Sequence, residues 1–433
     1  MHPALDVLLY VLYRIARTLI TKVHDLFYPS DNGQDHCCQV MRIVARRRTI
    51  NVDIARDCDF LALHDSYQPL DILLSDAHWS MYTLSREHVY FVRTREPFCN
   101  YHCDEAPFLY AVQYAHAERV ARVPLERLLA LAKLTRDRSS STIWYAICPR
   151  SGTTLLSQLL NVPGRSVVFA EADVFTQLAI LYDAGAWSQH HADFCGQLLA
   201  SVLRVFVHHV PDGQICVIKH RTIVNVLARM LHRIAPNVRQ MFVYRRDIDK
   251  LINSSERAAT RNSTIPVPIL ARLNTLPLFT RGVQWFVGLS DLERRVGDAI
   301  GVRNDLEFAW LMALPPYTRF LRDREVYSIV TTYEEITAGD DDAIRGELSR
   351  LFELCGLPAT CVPEAMVKYE RDSQANTPLS RERLRGVPTT QTVDATRAAH
   401  VARVMKLPER FFLGGHYIHD DVQCNGSVAI GET

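Results

Sequence analysis

Residues 149–154, Pro-Arg-Ser-Gly-Thr-Thr, have the composition of a phosphate-binding loop. They follow the apolar run 142–148, which is typical of a buried strand, and a helical pattern begins at Gly152. A tight turn between a strand and a helix directs backbone N–H groups at one point, where the helix dipole adds partial positive charge. Arg150 adds a full charge, and the serine and two threonines add hydroxyl donors. The loop therefore predicts a phosphate site, although a turn that only caps a helix can have the same residue types.

The loop differs from the phosphate loop of nucleotide triphosphatases, which has the pattern GxxxxGK[ST]. Ile147 stands where that pattern has its first glycine, and no lysine follows Gly152. No clear hydrophobic run ends in an aspartate at a position that would hold Mg²⁺. A P-loop kinase or nucleotide hydrolase nevertheless stays an alternative, as does a nucleotide-binding protein without catalytic activity.

A second phosphate contact is predicted after a later strand. The apolar run 240–244 is followed by Arg245-Arg246-Asp247, and Ser254 lies eight residues after Arg246. An arginine at a strand end and a hydroxyl two helical turns later can converge on one anion. The alternative for this pattern is a surface salt bridge, which has little energetic weight.

Together the two motifs resemble those of the superfamily of sulfotransferases that use 3′-phosphoadenosine 5′-phosphosulfate (PAPS). The resemblance covers about residues 142–357, with both motifs in the expected order on the expected strands. It implies that the loop binds the 5′-phosphosulfate end of PAPS. It also implies that Arg246 and Ser254 bind the 3′-phosphate and so select PAPS over ATP.

The catalytic base distinguishes the branches of this superfamily. Cytosolic sulfotransferases use the histidine of a Lys-x-His motif, whereas this chain has Lys219-His220-Arg221, with the histidine at a different offset. Tyrosylprotein sulfotransferases use a glutamate 21 residues after the loop arginine, and that position is Glu171 here. The resemblance is therefore closer to the tyrosylprotein and carbohydrate branch, and it implies that Glu171 is the general base. Without the resemblance, Glu171 could equally be a carboxylate that stabilises a helix start.

The resemblance assigns further roles. Lys219 and Arg150 would stabilise the transferring group and the departing phosphate, and Tyr333, in a Tyr-Glu-Glu-Ile segment, would lie beside the nucleotide. Because arginine and lysine supply the charge, no metal ion is expected. The acceptor would be a hydroxyl of a glycan, a tyrosyl residue or a small alcohol. The residues implied to contact PAPS are Arg150, Ser151, Gly152, Thr153, Thr154, Arg246, Ser254 and Tyr333.

The elements that must position these residues alternate between strands and helices after residue 141. This pattern predicts an α/β fold with a P-loop-type parallel sheet of about five strands, flanked by helices, with an N-terminal accessory region. The ligand site of such a sheet lies beyond the carboxyl ends of its strands. The predicted strands are 142–148, 166–170, 215–218, 240–244 and 326–332.

Three segments are expected along the chain. Residues 1–140 would form an N-terminal helix and accessory region, with a strand at 88–92 and a helical pattern from about 106 to 134. Residues 141–385 would form the sulfotransferase domain, and residues 386–433 a C-terminal tail. Residues 372–381 resemble a segment of invertebrate sulfotransferase-like proteins that could cover the nucleotide. Aromatic and proline residues that could shape the acceptor side, or belong to the core, are Pro266, Pro268, Trp285, Trp310 and Tyr317.

The composition limits the partners. The chain has 433 residues, 48% hydrophobic and 22% charged, and a net charge of +1, which predicts no nucleic-acid partner. The apolar stretch 5–20 carries Asp6, Arg14 and Arg17, which indicates an amphipathic helix on the surface, with peripheral membrane contact open. This pattern favours a cytoplasmic or membrane-peripheral location over the Golgi lumen. The eleven scattered cysteines favour free thiols over a disulfide framework.

Overall fold

The computed structural model describes residues 3–30, 33, 36–48, 54–187, 191–262, 291–302, 305–375, 377, 380–386 and 395–407. Within these residues the chain forms two five-stranded β-sheets with helices around them. The strands are β1 Cys37–Arg46, β2 Phe60–Pro69, β3 Trp79–Leu84, β4 His88–Thr94, β5 Ala117–Pro124, β6 Thr142–Ile147, β7 Ser166–Ala170, β8 Ile215–Lys219, β9 Arg239–Tyr244 and β10 Ile329–Thr332.

The α-helices connect and cover these strands, and a 3₁₀ helix, Thr222–Leu227, precedes α8. They are α1 Pro3–Phe27, α2 Ile72–Ser75, α3 Leu109–His116, α4 Leu125–Lys133, α5 Thr153–Leu159, α6 Asp173–Asp183, α7 His191–Phe206, α8 Ala228–Ile234, α9 Ile248–Asn262, α10 Asp291–Ile300, α11 Asp305–Ala313, α12 Pro315–Arg322, α13 Tyr333–Thr337, α14 Asp341–Cys355, α15 Val362–Met366, α16 Arg381–Leu384 and α17 Ala395–Val404.

The second sheet is parallel, with the order β10-β9-β6-β8-β7. Its strands are apolar on both faces because both faces are covered. Tyr145 of β6 packs with α5 and α14 on one face, and Trp144 packs with α6 and α7 on the other. The predicted α/β fold with a five-stranded parallel sheet flanked by helices is confirmed at this level. The carboxyl ends of all five strands lie at one edge of the sheet. The predicted site residues follow these ends: the loop after β6 and the start of α5, Glu171 after β7, Lys219 as the last residue of β8, Arg246 after β9 with Ser254 in α9, and Tyr333 as the first residue of α13.

The first sheet is antiparallel, with the order β2-β1-β5-β4-β3. The helical prediction for 106–134 is wrong in its middle, because Ala117–Pro124 forms the central strand β5 between α3 and α4. Alanine and arginine favour helices locally. Pairing of β5 with β1 on one side and β4 on the other overrides that preference. The strand predicted at 88–92 is present as β4.

A continuous hydrophobic core joins the two sheets. Met81 and Phe91 of the antiparallel sheet belong to the same buried cluster as Trp144 and Phe169 of the parallel sheet. Helix α17, from the predicted C-terminal tail, packs through its buried Val401 into a second cluster, around β9. The boundaries predicted at residues 140 and 385 stay predictions. The ten cysteines in the described residues are free thiols, and Cys424 lies outside those residues.

Candidate functional site

The predicted phosphate loop connects β6 to α5 in a conformation that requires its glycine. Gly152 has φ +67° and precedes the first residue of α5, in the left-handed region that favours glycine. A Cβ at this position would lie 2.6 Å from Cδ2 of Tyr333, well inside van der Waals contact. The ring of Tyr333, which the sequence analysis also places beside the nucleotide, therefore packs directly on the loop.

Arg150 is a half-buried cation that forms no ion pair with a carboxylate within the described residues. Its Nε donates to Oγ of Ser254 over 2.9 Å, and its Nη1 donates to Oε1 of Gln374 over 3.3 Å. No carboxylate of the described chain lies within ion-pair distance of Arg150. Burial, and then the nearby charge of Arg245, lower the pKa of Arg150. A half-buried arginine whose hydrogen-bond partners are neutral is arranged to receive an anion.

A cavity of about 450 Å³ opens beside this arginine. Five arginines line it, and Asp372 is the one acidic residue among its described lining residues. Such a strong excess of positive charge indicates a site for a ligand with more than one anionic group. The lining residues are Arg150, Gly152, Thr153, Thr154, Leu155, Arg245, Ser254, Arg257, Tyr333, Thr337, Asp372, Ser373, Gln374, Arg381, Leu384 and Arg385.

The structure distinguishes Arg245 from Arg246. The guanidinium of Arg245 lies 4.4 Å from the ring centroid of Tyr333 in the cavity wall. The hydroxyl of Tyr317 fixes its backbone by donating to the carbonyl of Arg245 over 2.7 Å. Arg246, which the motif selected, instead pairs with Glu335 outside the cavity lining. The sequence showed two adjacent arginines, but the motif gave no information about which side chain turns toward the loop.

Glu171 and Lys219 meet at the ends of the adjacent strands β7 and β8. Lys219 Nζ donates to Oε1 of Glu171 over 3.0 Å, and the backbone N–H of Glu171 donates to the carbonyl of Lys219 over 2.7 Å. Both side chains are largely buried, with 2% of Lys219 and 14% of Glu171 exposed. The structure thus brings together the two residues that were predicted to act on the acceptor and on the transferring group.

Two residues that the sequence analysis missed hold Glu171 from its other side. Arg221 Nε lies 3.7 Å from Oε2 of Glu171 and 2.8 Å from Oδ1 of Asp173. The Arg221 guanidinium also stacks on the ring of Tyr110, 4.3 Å from its centroid. Asp173 is fully buried, burial raises its pKa, and its Oδ2 accepts the backbone N–H of Ala55 over 2.8 Å. The repeated spacing, Glu-x-Asp after β7 and Lys-x-Arg after β8, is the pattern that could have revealed this cluster.

His220 lies away from this cluster. The centroid of its ring lies 3.7 Å from that of Trp144, and the ring also contacts Phe175 in the core. Burial lowers the pKa of His220 well below its usual value. A neutral, core-facing imidazole does not reach the edge where Glu171 lies.

Backbone strain marks the same positions. Among the described residues, three that are not glycine have a positive φ: Arg150 at 58°, Glu171 at 60° and Lys406 at 55°. Such conformations cost about 1–3 kcal/mol and concentrate at functional sites. Two of the three are residues that the sequence analysis had predicted to be catalytic.

The predicted covering segment reaches the loop through Gln374. Its Nε2 donates to Oγ1 of Thr154 over 3.0 Å, while its Oε1 accepts from Arg150. Of the aromatic residues proposed for the acceptor side, Trp310 and Tyr317 are buried core residues. The other acceptor-side candidates, Pro266, Pro268 and Trp285, lie outside the described residues, as does Leu379 of the covering segment.

No family model matches the sequence, and no curated protein matches it significantly. Family and activity are therefore proposals that rest on the residues and the geometry described above.

Proposed function

We propose that the protein is a sulfotransferase that moves a sulfuryl group from PAPS to a hydroxyl of its acceptor, on a P-loop-type parallel sheet. The observation that carries this proposal is the meeting of Arg150 and Ser254. These residues belong to the two motifs and are 104 positions apart in the chain. Arg150 Nε nevertheless donates to Ser254 Oγ over 2.9 Å, and both residues line one cationic cavity. Their convergence joins the two predicted phosphate contacts into one site.

The cations around the cavity suit a ligand with two anionic groups, held by residue sets that adjoin where Arg150 contacts Ser254. At the loop end, Arg150 and the hydroxyls of Thr153 and Thr154 would hold the 5′-phosphosulfate. At the other end, Ser254 and Arg245 would hold the 3′-phosphate, joined by Arg246 if that side chain leaves Glu335. The volume of about 450 Å³ lies within the range of small-molecule sites.

The cluster at β7 and β8, whose residues are not among those lining the cavity, would supply the groups for transfer. The acceptor oxygen would form a bond to sulfur as the bond from sulfur to the 5′-phosphate oxygen breaks. Glu171 would take the hydroxyl proton, and Lys219 would then pair with the negative charge that develops on the phosphate. Arg221, held by Asp173 and Tyr110, would keep the Glu171 carboxylate oriented.

Calorimetry with 3′-phosphoadenosine 5′-phosphate (PAP) and with ATP tests the nucleotide. We expect PAP to bind at least about tenfold more tightly than ATP, because the site has cations for a 3′-phosphate but no lysine after Gly152 for a triphosphate. Arg150→Ala should weaken PAP binding about 100-fold through loss of charge-assisted hydrogen bonds. Arg136→Ala, which removes an exposed arginine that does not line the cavity, is the matched control. Tighter binding of ATP, with dependence on Mg²⁺, would support the kinase or hydrolase alternative instead.

Transfer of label from radiolabelled PAPS, screened over glycans, tyrosyl peptides and small alcohols, tests the activity. Glu171→Gln should lower turnover by about 10² to 10⁴ and leave PAP affinity within about twofold, since a general base acts only on the chemical step. Glu105→Gln makes the same change at an exposed carboxylate and should alter neither the turnover nor the PAP affinity. Full activity of Glu171→Gln would exclude Glu171 as the base. Tight PAP binding without transfer to any acceptor would favour the non-catalytic alternative.

A further inference from the structure

Helix α1 is attached to the protein through its polar side. The hydroxyl of Tyr13 donates to the carbonyl of Asp59 over 3.1 Å, and Arg17 Nη2 donates to the carbonyl of Asp57 over 2.9 Å. Nε2 of His24 accepts the backbone N–H of His64 over 2.7 Å. Beneath the helix lies a cavity of about 630 Å³ lined by both polar and apolar side chains, and these hydrogen bonds cross to the chain at its rim.

The opposite side of α1 is apolar and faces outward. Eleven large hydrophobic side chains of the helix are each at least 36% exposed. At about 100° per residue they cover about half of the helix circumference along its full length. They are Leu5, Leu8, Leu9, Val11, Leu12, Ile15, Leu19, Ile20, Val23, Leu26 and Phe27. We call this surface the outer face of α1.

This arrangement is the inverse of an ordinary surface helix, which turns its apolar stripe toward the core and its polar side toward water. Monomeric soluble proteins rarely expose contiguous apolar patches larger than a few hundred Å², and larger patches mark interaction sites. Since Tyr13, Arg17 and His24 fix the rotation of the helix, the outer face cannot turn inward without breaking their hydrogen bonds. The outer face is therefore arranged to meet an apolar partner outside the chain.

We propose that the outer face of α1 lies in the interface of a lipid bilayer, with the helix axis parallel to the membrane surface. No helix within the described residues combines the length and the apolar character needed to cross a membrane. An amphipathic helix in the plane of the interface, by contrast, buries its apolar side at the level of the acyl chains.

Two features favour lipid over a second copy of this chain. Lys22 is the single charged residue among the exposed side chains of α1 that the structure describes, which suits the anionic headgroups of a membrane. A partner helix would contact only a narrow seam of about two positions in seven. The apolar side chains here spread over about half of the circumference, a width that a bilayer covers and a helix–helix contact leaves exposed at both flanks.

Flotation of the full-length protein with vesicles tests the proposal. The protein should float with vesicles of an equimolar mixture of phosphatidylcholine and phosphatidylserine. The double substitution Leu12→Glu/Leu19→Glu, at the centre of the outer face, should reduce bound protein at least about tenfold. The matched control, Leu134→Glu/Leu354→Glu, makes the same changes at exposed leucines elsewhere and should float as the wild type does.

PAP binding by calorimetry and far-ultraviolet circular dichroism should be equal for all three proteins, which excludes misfolding as the cause of lost flotation. Failure of the wild type to float would overturn the proposal, and so would equal flotation of the Leu12→Glu/Leu19→Glu variant. A dimer that analytical ultracentrifugation detects in the wild type and that this variant loses would assign the outer face to a second copy, and would also overturn it.

Discussion

The two halves of the carboxyl edge of the parallel sheet differ in charge balance. Around β6 and β9, Arg150 has no carboxylate at ion-pair distance among the described residues, and Arg245 has only Glu334, at 3.9 Å. Around β7 and β8, each cation is closely paired: Lys219 with Glu171 at 3.0 Å, and Arg221 with Asp173 at 2.8 Å. In the first half the arginines that line the cavity are open to an external anion, although Arg246 pairs with Glu335 outside the cavity, while the second half has neutralised its own charges.

This difference in charge balance predicts that one half of the edge determines ligand affinity and the other determines folding stability. A buried cation without a counter-ion costs free energy of folding, and a site retains it where a ligand supplies the missing charge. A paired buried charge contributes little net stability, but removing one partner leaves the other uncompensated. We therefore expect truncation of a fully buried carboxylate in the paired half, such as Asp173, to lower the free energy of unfolding. Glu171→Gln keeps an oxygen that can accept from Lys219, and substitutions in the open half should change ligand affinity.

The largest expected effect is on stability, in the paired half. Asp173→Ala removes the fully buried partner of Arg221 and the acceptor for the Ala55 N–H, and should lower the free energy of unfolding by about 3 kcal/mol. Arg150→Met, in the open half, should lower it by less than about 1 kcal/mol, because no buried carboxylate loses a partner. Urea unfolding followed by circular dichroism measures both.

The control for Asp173→Ala is Glu118→Ala, which removes the partner of Arg95 in an exposed pair at 3.2 Å. An exposed pair contributes about 0–1 kcal/mol, so this variant should unfold nearly as the wild type does. Equal stability of Asp173→Ala and Glu118→Ala would contradict the distinction between the two halves.

Much of this edge is predictable because its strands are long apolar runs bounded by turns. Thr142–Ile147 and Ser166–Ala170 lie where the sequence predicted strands, and the loop follows the first of them. The cluster of Asp173 and Arg221 was not predictable in the same way. Its pairing depends on β7 lying next to β8, and strand order in a sheet is set by tertiary packing that a single sequence does not state.

Strand β5 shows a second limit of the sequence analysis. Its segment, with Ala117, Glu118 and Arg119, has good helix formers, and only the flanking strands β1 and β4 make it a strand. The side-chain direction of Arg245 and Arg246 is a third limit. A motif fixes the spacing of residues along the chain but does not state which of two neighbouring side chains faces a ligand. Both limits concern contacts that are distant in sequence or that depend on local orientation.

The orientation of the two arginines gives the second prediction. Arg245→Ala should weaken PAP binding about 10- to 100-fold, because this arginine lines the cavity and a hydrogen bond to a charged group contributes about 1.5–3 kcal/mol. Arg246→Ala should weaken it by about threefold or less, because Arg246 pairs with Glu335. Calorimetry compares them, and urea unfolding checks that both variants fold. A larger loss for Arg246→Ala would show that Arg246 leaves Glu335 to bind the 3′-phosphate, as the motif implies.

The smallest expected effect concerns Gln374, which supplies the open half with neutral hydrogen bonds in place of an anion. Its amide accepts from Arg150 over 3.3 Å and donates to Thr154 over 3.0 Å, so a phosphate at the loop must displace it. Breaking these hydrogen bonds, one of which involves the charged guanidinium of Arg150, costs about 1–3 kcal/mol, and Gln374→Ala should therefore tighten PAP binding at least about fivefold in calorimetry. Gln158→Ala removes a nearby amide that donates to the carbonyl of Ser373 and should leave the affinity within about twofold. Weaker binding by Gln374→Ala would mean that Gln374 contacts the ligand directly, and that the open half is completed by the covering segment rather than blocked by it.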